Sequence, residues 1–497
     1  MSGAFRVSGR GRVDTARPVA FRFDGRIVRG YEGDTVASAL LAHGQHLMGR
    51  SFKYHRPRGP ISAGSDEPNA LIGVGEGGRH TPNLRATQVE IHAGLVTVSQ
   101  NRGPRLTFDI GAVNTWLAPL FPAGFYYKTF MWPRGFWDRV YEPVIRRAAG
   151  LGTVATAPDP DHYGLHYAHC EVLVIGAGPA GLTAALAAGR TGVRVILCDE
   201  TAELGGTLLS DVHSRIDGLS ASVWVEKVAA ELRTLPNVRV MTRCTAFNYG
   251  PHNMVALNQR LTEHLSDPDP ASPRERIWQV RAAEVVVTAG ALERPLVFEG
   301  NDRPGILLAT AARTYLNRYG VLPGKRAVVV TADDSAYRVA IELAEAGVEI
   351  AAIADLRANA DASIVAEAKA SGITVLPSTT IQKANGGLRV RSVELAPVAA
   401  DGRVGKAQRF ACDCVLMAGG FTPSLHMHSQ ARGTMRFDEA LGVYVPDQSI
   451  ERLRSAGSCR GLFALQDVLS DGAAAGLAAA MAAGGRETAA TPLRVAE

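Results

Sequence analysis

Six consecutive residues, Gly176–Ala177–Gly178–Pro179–Ala180–Gly181, carry the most specific chemical signal in the chain. They follow the apolar run EVLVI and open an alanine-rich helical stretch, the setting in which a backbone turn cradles a pyrophosphate. Gly176 permits the tight turn, Gly178 lets the backbone approach a phosphate, and Gly181 lets the helix lie close to the strand. Amides at the helix start, that of Ala180 among them, then face the phosphates along the positive end of the helix dipole. Asp199 and Glu200 end a second apolar strand, where a carboxylate takes hydrogen bonds from ribose hydroxyls. An acid there repels a 2′-phosphate and so favours NAD or FAD over NADP. Leu204–Gly205–Gly206–Thr207 comes next. It reads either as a plain loop turn or as a second backbone approach to the same dinucleotide, with the Thr207 hydroxyl as donor.

No other set of residues competes with this one. The segment KRAVVVTADDSAYRVAIELAEAGVEIAAIADLR repeats the strand–turn–helix–strand plan, but its turn is Thr331–Ala332–Asp333–Asp334–Ser335–Ala336. Side chains there block a pyrophosphate and two carboxylates repel it, so a retained scaffold is expected rather than an NAD(P)H site. His43, His46, His55 and His80 are scattered, with no nucleophile–base set, and no catalytic residue is assigned. The six cysteines (Cys170, Cys198, Cys244, Cys412, Cys414 and Cys459) form no CxxC pair, so neither a metal site nor a redox dithiol is signalled. Arg294, after TAGALE, reads equally as a lid on the nucleotide pocket and as a cap or ion-pair residue.

The elements that must position the turn follow from hydrophobic pattern. At 497 residues the chain is too long for one core, and about three domains are expected. Residues 1–110 read as a small β-grasp domain: RPVAFRFDGRIVRG is a hairpin turning at Asp24–Gly25, Thr35 caps the helix VASALLAHG, and ATQVEIHAGLVTVSQN reads as a second hairpin. Residues 111–169 are an aromatic and proline-rich linker (Trp116, Phe121, Phe125, Tyr126, Tyr127, Trp132, Phe136, Trp137) that suits packing on other surfaces. Residues 170–320 and 415–490 form one discontinuous Rossmann-like dinucleotide-binding domain, with 321–414 inserted as the degenerate second unit. The fold class is therefore α/β.

A net charge of +5, spread over 53 basic and 48 acidic residues, gives no basic stripe, which excludes nucleic acid. The N-terminus has no secretion signal and no window reaches the ~20 apolar residues of a membrane span. No membrane partner and a cytoplasmic location are expected.

The motifs EGDTVASALLAHG, FKYHRPRG, EVLVIGAGPAGLTAALAA, VILCDE with LGGTLL, and VVVTAGALERPLVFEGNDRPGI with TADDSAY together resemble the α subunits of heterotetrameric sarcosine oxidases. More broadly they resemble the α subunits of opine and hydroxyproline dehydrogenases. The likeness runs along nearly the whole chain. It implies a two-dinucleotide-binding-domain flavoprotein fold behind a ferredoxin-like β-grasp module. It implies a complex that oxidises an N-methyl or secondary amine, with FAD and the amine site on a β subunit, FMN at the α/β interface, and small γ and δ subunits. In this chain it implies NAD, or FAD in the dehydrogenase branch, held by Ala180, Asp199, Glu200, Thr201 and Thr207, with Ala246 towards the adenine and Ala418 on the far side.

Two departures stand out. Some relatives hold a 2Fe–2S cluster through four cysteines, but here none precedes Cys170, so a domain without a cluster is expected. The sarcosine oxidase α subunits continue into a folate-binding aminomethyltransferase-like domain; folate chemistry is not expected of this chain, that domain being expected on a separate chain, missing from a shorter relative or lost by truncation. A scaffold that uses its nucleotide only for stability is the non-enzyme alternative.

Overall fold

The computed structural model describes residues 3–120, 124, 129–149, 152–488 and 492–496. Phe121, Phe125, Tyr126 and Tyr127 of the linker lie outside the described residues. The chain divides into two compact units, Met1–Pro160 with Arg294–Gly420, and Asp161–Glu293 with Phe421–Glu497.

The first unit starts as the β-patterning requires. Strands β1 (Asp14–Phe23) and β2 (Arg26–Glu32) pair through a turn in which Asp24 and Gly25 both take positive φ, 49° and 76°. That is the turn whose twist matches the flanking strands. The helix α1 (Val36–Ala42) begins at a reciprocal cap, Thr35 Oγ1 accepting from Ser38 N–H and Ser38 Oγ from Thr35 N–H. Every residue of α1 is buried. Strands β3 (Leu71–Val74), β4 (Thr81–Arg85) and β5 (Val96–Ser99) complete a sheet in the order β2-β1-β5-β3-β4.

The second hairpin is not where the sequence pattern put it. Only β5 forms in that stretch, parallel to β1, and the hairpin partners are β3 and β4. Residues 86–91 serve α1 instead: Ala37 N–H donates to Ala86 O, Val36 N–H to Val89 O, and Ile91 N–H to Asp34 O. The orphan amides of a buried helix start took those carbonyls, and alternation alone could not show it.

The second unit opens with β6 (Tyr163–Ile175), which begins inside the stretch read as linker. Tyr163 to Val287 then supply α3 (Pro179–Arg190), β7 (Val195–Cys198), β8 (Val238–Met241), β9 (Cys244–Gly250), β10 (Met254–Arg260) and β11 (Glu275–Val287). The helix at Glu142–Ala149 (α2) precedes them, in the first unit. The strands line up as β8-β7-β6-β11-β10-β9. The β6 backbone runs parallel to both β7 and β11, so Val172, Leu173 and Val174 are fully buried. Such burial explains the unbroken apolar run.

From Arg294 the chain is back in the first unit. Its parallel sheet takes β12 (Ile306–Leu308), β13 (Arg326–Thr331), β14 (Glu349–Asp355), β15 (Val375–Leu376) and β16 (Cys414–Ala418), in the order β12-β16-β13-β14-β15. The helix α4 (Ser335–Glu345) follows β13. Residues 415–418, which the hydrophobic pattern joined to the nucleotide-binding domain, are thus strand β16 of the other sheet. Val328 to Thr331 pair with Val415 to Ala418, a register no local pattern encodes. The chain then returns to the second unit with β17 (Leu453–Ser455), parallel to the end of β11, and α5 (Leu465–Ala482).

Candidate functional site

Strand β6 ends at Ile175, and Gly176 takes φ +99°, which L side chains avoid. A Cβ there would also lie 2.5 Å from Thr288 O. Thr288, just past β11, closes the turn from behind, its Oγ1 lying 2.9 Å from Ile175 O and 2.7 Å from Gly176 O. A Cβ on Gly181 would lie 1.8 Å from Gly176 O, so α3 meets the strand at backbone contact. On its far side α3 packs against α5, where Cβ atoms on Gly472 and Gly476 would lie 2.3 Å from Ala180 O and 2.1 Å from Ala184 O. Ala180 is buried in that crossing.

Gly178 is different. It is the N-cap of α3, no side chain caps it, and Pro179 occupies the first helical turn. A Cβ built on Gly178 meets nothing within 4 Å. The first amides of a helix have no intrahelical acceptor, and the space beside Gly178 at this helix start is open. Gly206 borders it: a Cβ on Gly206 would lie 2.9 Å from Gly178 Cα. Gly205 N–H donates to Ala177 O at 2.8 Å, which locks the second glycine loop onto the first. Gly206 and Thr207 are exposed at that mouth, while Gly205 is buried.

The acid pair separates into two tasks. Asp199 Oδ2 accepts from Ala177 N–H at 2.6 Å, and Oδ1 accepts from Thr201 N–H at 2.8 Å and Thr201 Oγ1 at 2.6 Å. Its carboxylate therefore holds the glycine turn and the following loop. Thr201 is drawn into the same network, its Oγ1 also 2.7 Å from Glu203 O. Glu200 follows with its carbonyl anchored by Arg260 Nη2 at 2.9 Å. Strand β9 is tied in by Cys244 N–H to Asp199 O at 2.7 Å and Arg243 N–H to Thr201 O. Ala246, two residues on, is half-buried beside a bulge in that strand.

The structure thus gathers Gly176, Gly178, Ala180, Gly181, Asp199, Glu200, Thr201, Gly205, Gly206 and Thr207 around one turn, with Ala246 on the adjoining strand. Ala418 belongs to the other unit, fully buried at the end of β16. Thr288, Arg243 and Arg260 were not singled out from sequence. They lie over forty residues from the turn, and only strand register brings them to it.

The cysteines are all buried and free. Burial pushes the Cys198 thiol well above its ordinary value and those of Cys170 and Cys244 up to about 12, with the Asp199 carboxylate adding to the effect at Cys244. Thiols so protonated are not nucleophiles at neutral pH. His46 is buried, which holds its ring below the ordinary histidine range, and His55 Nδ1 lies 2.7 Å from Asp109 Oδ2. Among the described residues no group of three His, Cys, Asp or Glu side chains is placed to hold a metal. No described helix is long and apolar enough to cross a membrane.

At the second turn the space is filled. Asp333 Oδ1 caps Ser335 N–H at 2.9 Å, and Arg357 Nη2 bridges Asp334 at 2.7 Å and the buried Asp355 at 2.9 Å. Tyr337 Oη donates to Asp355 at 2.9 Å.

Comparison with known proteins fits this geometry. Residues 170–484 match the family described as pyridine nucleotide-disulphide oxidoreductase, and residues 16–102 match one described as a 2Fe-2S iron-sulfur cluster binding domain. Cluster assembly needs thiolates, and residues 16–102 contain no cysteine, so the chain does not fit a cluster there. Glu67 knits that region instead, its buried carboxylate accepting from Ile61, Ser62, Asn69 and Ala70 N–H. The chain is 46% identical to the sarcosine oxidase α subunit of Rhizobium meliloti (strain 1021) over 95% of its length and 46% of the relative's. It is 38% identical to that of Corynebacterium sp. (strain P-1) over 97% and 45%. An opine oxidase subunit of Agrobacterium tumefaciens (strain Ach5) is 31% identical over 36% of this chain and 35% of its own. The chain spans about half the length of the sarcosine oxidase relatives it matches. Among solved structures, L-proline dehydrogenase from P. horikoshii shares the fold at a TM-score of 0.64 and 19% identity, over 95% of this chain and 74% of that one.

Proposed function

The chain belongs to the pyridine nucleotide-disulphide oxidoreductase family, and from that premise we propose that it is the nucleotide-holding α-type subunit of a sarcosine oxidase-like complex. The complex oxidises an N-methyl or secondary amine. This chain holds NAD and borders an interface FMN, while a β-type partner carries FAD and the amine site. The observation that carries the reading is the uncapped helix start at Gly178, inside a chain 46% identical over 95% of its length to a sarcosine oxidase α subunit.

Each residue at the turn has a task in that reading. The amides at the start of α3 take the pyrophosphate, and the empty Cβ position of Gly178 lets it approach. Asp199 keeps the turn in shape, and Glu200, which follows it at the strand end, takes the ribose hydroxyls. Thr207 donates from the second glycine loop, and Ala246 lines the adenine side. A dinucleotide bound here supplies a fixed negative charge and, if redox-active, a hydride site. The part of this chain is to bind, orient and exclude water.

The test is extraction of nucleotides from the purified complex, with each assigned to a chain. NAD on this chain and no amine oxidation by this chain alone are expected. Flavin absorbance on the isolated chain would instead place it with the FAD-holding dehydrogenase α subunits. Turnover of sarcosine by this chain alone, at the rate of the complex, would sink the proposal. Iron and acid-labile sulfide in stoichiometric amounts would overturn the reading of the N-terminal domain.

A further inference from the structure

Two segments that the glycine turn does not use, FKYHRPRG (52–59) and FEGNDRPGI (298–306), come together in the first unit. Pro57–Arg58 runs antiparallel to Gly49–Arg50, and side chains two apart on extended backbone share a face. Arg56 and Arg58 accordingly reach one carboxylate, 246 residues on from Arg56. Arg56 Nη2 lies 2.5 Å from Asp302 Oδ1, and Arg58 Nη1 donates to Oδ2. The arrangement is held from both sides. Ser51 Oγ accepts from Arg56 N–H at 3.0 Å, Leu308 N–H donates to Ile61 O at 2.8 Å, and a Cβ on Gly59 would lie 3.2 Å from Pro304 Cβ.

The residue after Asp302 adds a third guanidinium. Arg303 donates from Nη1 to Gly386 O; its Nε is buried without an acceptor, and no carboxylate bridges it, among the described residues. Burial, and then the charge of Arg56, hold its pKa below the ordinary arginine value, with Asp302 and Glu299 pulling the other way. Glu299 is itself taken up by Lys383 at 2.8 Å. Three guanidiniums therefore gather at one carboxylate, a surplus of two positive charges. A tie between the two segments is complete with Arg56, Arg58 and Asp302. Arg303 beside Arg56 is a like-charge placement, which costs energy until an anion joins it.

We propose that Arg56, Arg58 and Arg303, all in the first unit, form a binding site for a phosphate group. The guanidinium fork matches two phosphate oxygens at once. A phosphate monoester carries close to two negative charges at neutral pH, which matches the surplus. Asp302 fixes the direction of two forks, and Arg56, its side chain 39% exposed, is open to solvent. A carboxylate ligand brings one charge and leaves the other uncancelled. A nucleic acid needs such clusters repeated along a basic stripe, which the interspersed charges of the sequence do not supply. Free phosphate and the phosphate end of a larger metabolite share this chemistry, and the site does not depend on the proposed function.

The test is thermal unfolding of the full chain in inorganic phosphate against chloride at equal ionic strength, with ribose 5-phosphate against ribose as a second pair. Phosphate at saturation should raise the wild-type Tm by about 2–4 °C. Arg303→Gln, and independently Arg56→Gln, should weaken phosphate binding roughly ten- to a hundredfold in equilibrium titration and lose that rise. A rise with inorganic phosphate alone assigns the site to the free anion. A rise with ribose 5-phosphate and not with ribose extends it to phosphate esters. Equal rises in wild type and both variants reflect the general effect of phosphate on burial, or binding at the helix start after Gly178, and overturn the proposal. So does a wild-type Tm no higher than in chloride, or a rise with ribose equal to that with its 5-phosphate.

Discussion

After β6 the chain turns through Gly176 and Gly178 into α3, and after β13 it turns through Thr331 and Asp333 into α4. Both turns leave a buried parallel strand and both enter an alanine-bearing helix that covers the sheet. They differ in what stands at the helix start. At the first, an acid from the next strand reaches behind the turn and bonds Ala177 N–H, leaving the front open. At the second, an acid of the turn itself, Asp334, is bridged across the front by Arg357 to the strand-end Asp355. A strand–turn–helix unit is thus kept by its buried faces alone. Under the proposed function, holding a nucleotide needs more: missing side chains in front and a carboxylate committed behind.

Five substitutions break or sharpen that contrast. The largest effect is expected from Gly181→Val, because its Cβ would lie 1.8 Å from Gly176 O and push α3 off the strand. Overpacking of this kind costs about 1–3 kcal/mol and occasionally more. Thermal unfolding should show a Tm lower by roughly 5 °C or more, together with loss of nucleotide. A Tm equal to wild type would mean that close helix–strand contact is not what the glycine provides.

Gly178→Val should separate binding from folding. Its Cβ meets nothing within 4 Å, so the nucleotide-free chain should unfold as wild type does. Affinity for the dinucleotide should fall about a hundredfold, some 2.7 kcal/mol. Equilibrium titration decides it, and full retention would remove the main distinction between the two turns.

The neighbouring acids should part company. Asp199→Ala leaves the Ala177 and Thr201 amides without their acceptor, a cost of about 1–3 kcal/mol for each buried donor. Both Tm and affinity should fall. Glu200→Ala should weaken nucleotide binding by roughly ten- to a hundredfold, the worth of a charged hydrogen bond of about 1.5–3 kcal/mol. Equal and unaltered binding in both variants and in the double variant would make the pair ordinary surface charges.

The smallest effect belongs to the second turn. Asp334 is about half exposed in its bridge to Arg357, and exposed pairs are worth about 0–1 kcal/mol. Asp334→Ala should leave nucleotide retention unchanged and alter stability by less than about 1 kcal/mol. Nucleotide lost in this variant would show that the second unit shares in binding.

Much of this was legible in the residues because it is local. The Asp24–Gly25 turn, the Thr35 cap, the glycine turn after an apolar strand, and the side chains that spoil the second turn each lie within a few neighbours, where backbone sterics decide the outcome. The missing cysteines were equally plain, since cluster chemistry depends on residue type. What stayed hidden depends on partners far along the chain. Residues 86–91 alternate like a strand but spend their carbonyls on the start of α1, because a buried helix end must find acceptors. Residues 415–418 read like any buried strand, and only pairing with β13 decides which sheet they join.

The acid pair shows the division most closely. Sequence placed two carboxylates at a strand end without ranking them, since consecutive side chains leave a strand in opposite directions. Tertiary structure ranked them by bringing Ala177 N–H within 2.6 Å of one, and it supplied Thr288 behind the turn from a strand more than a hundred residues away. The kind of chemistry was set by residue types and short spacings. Which atom does which part was set by long-range backbone register, which short spacings do not contain.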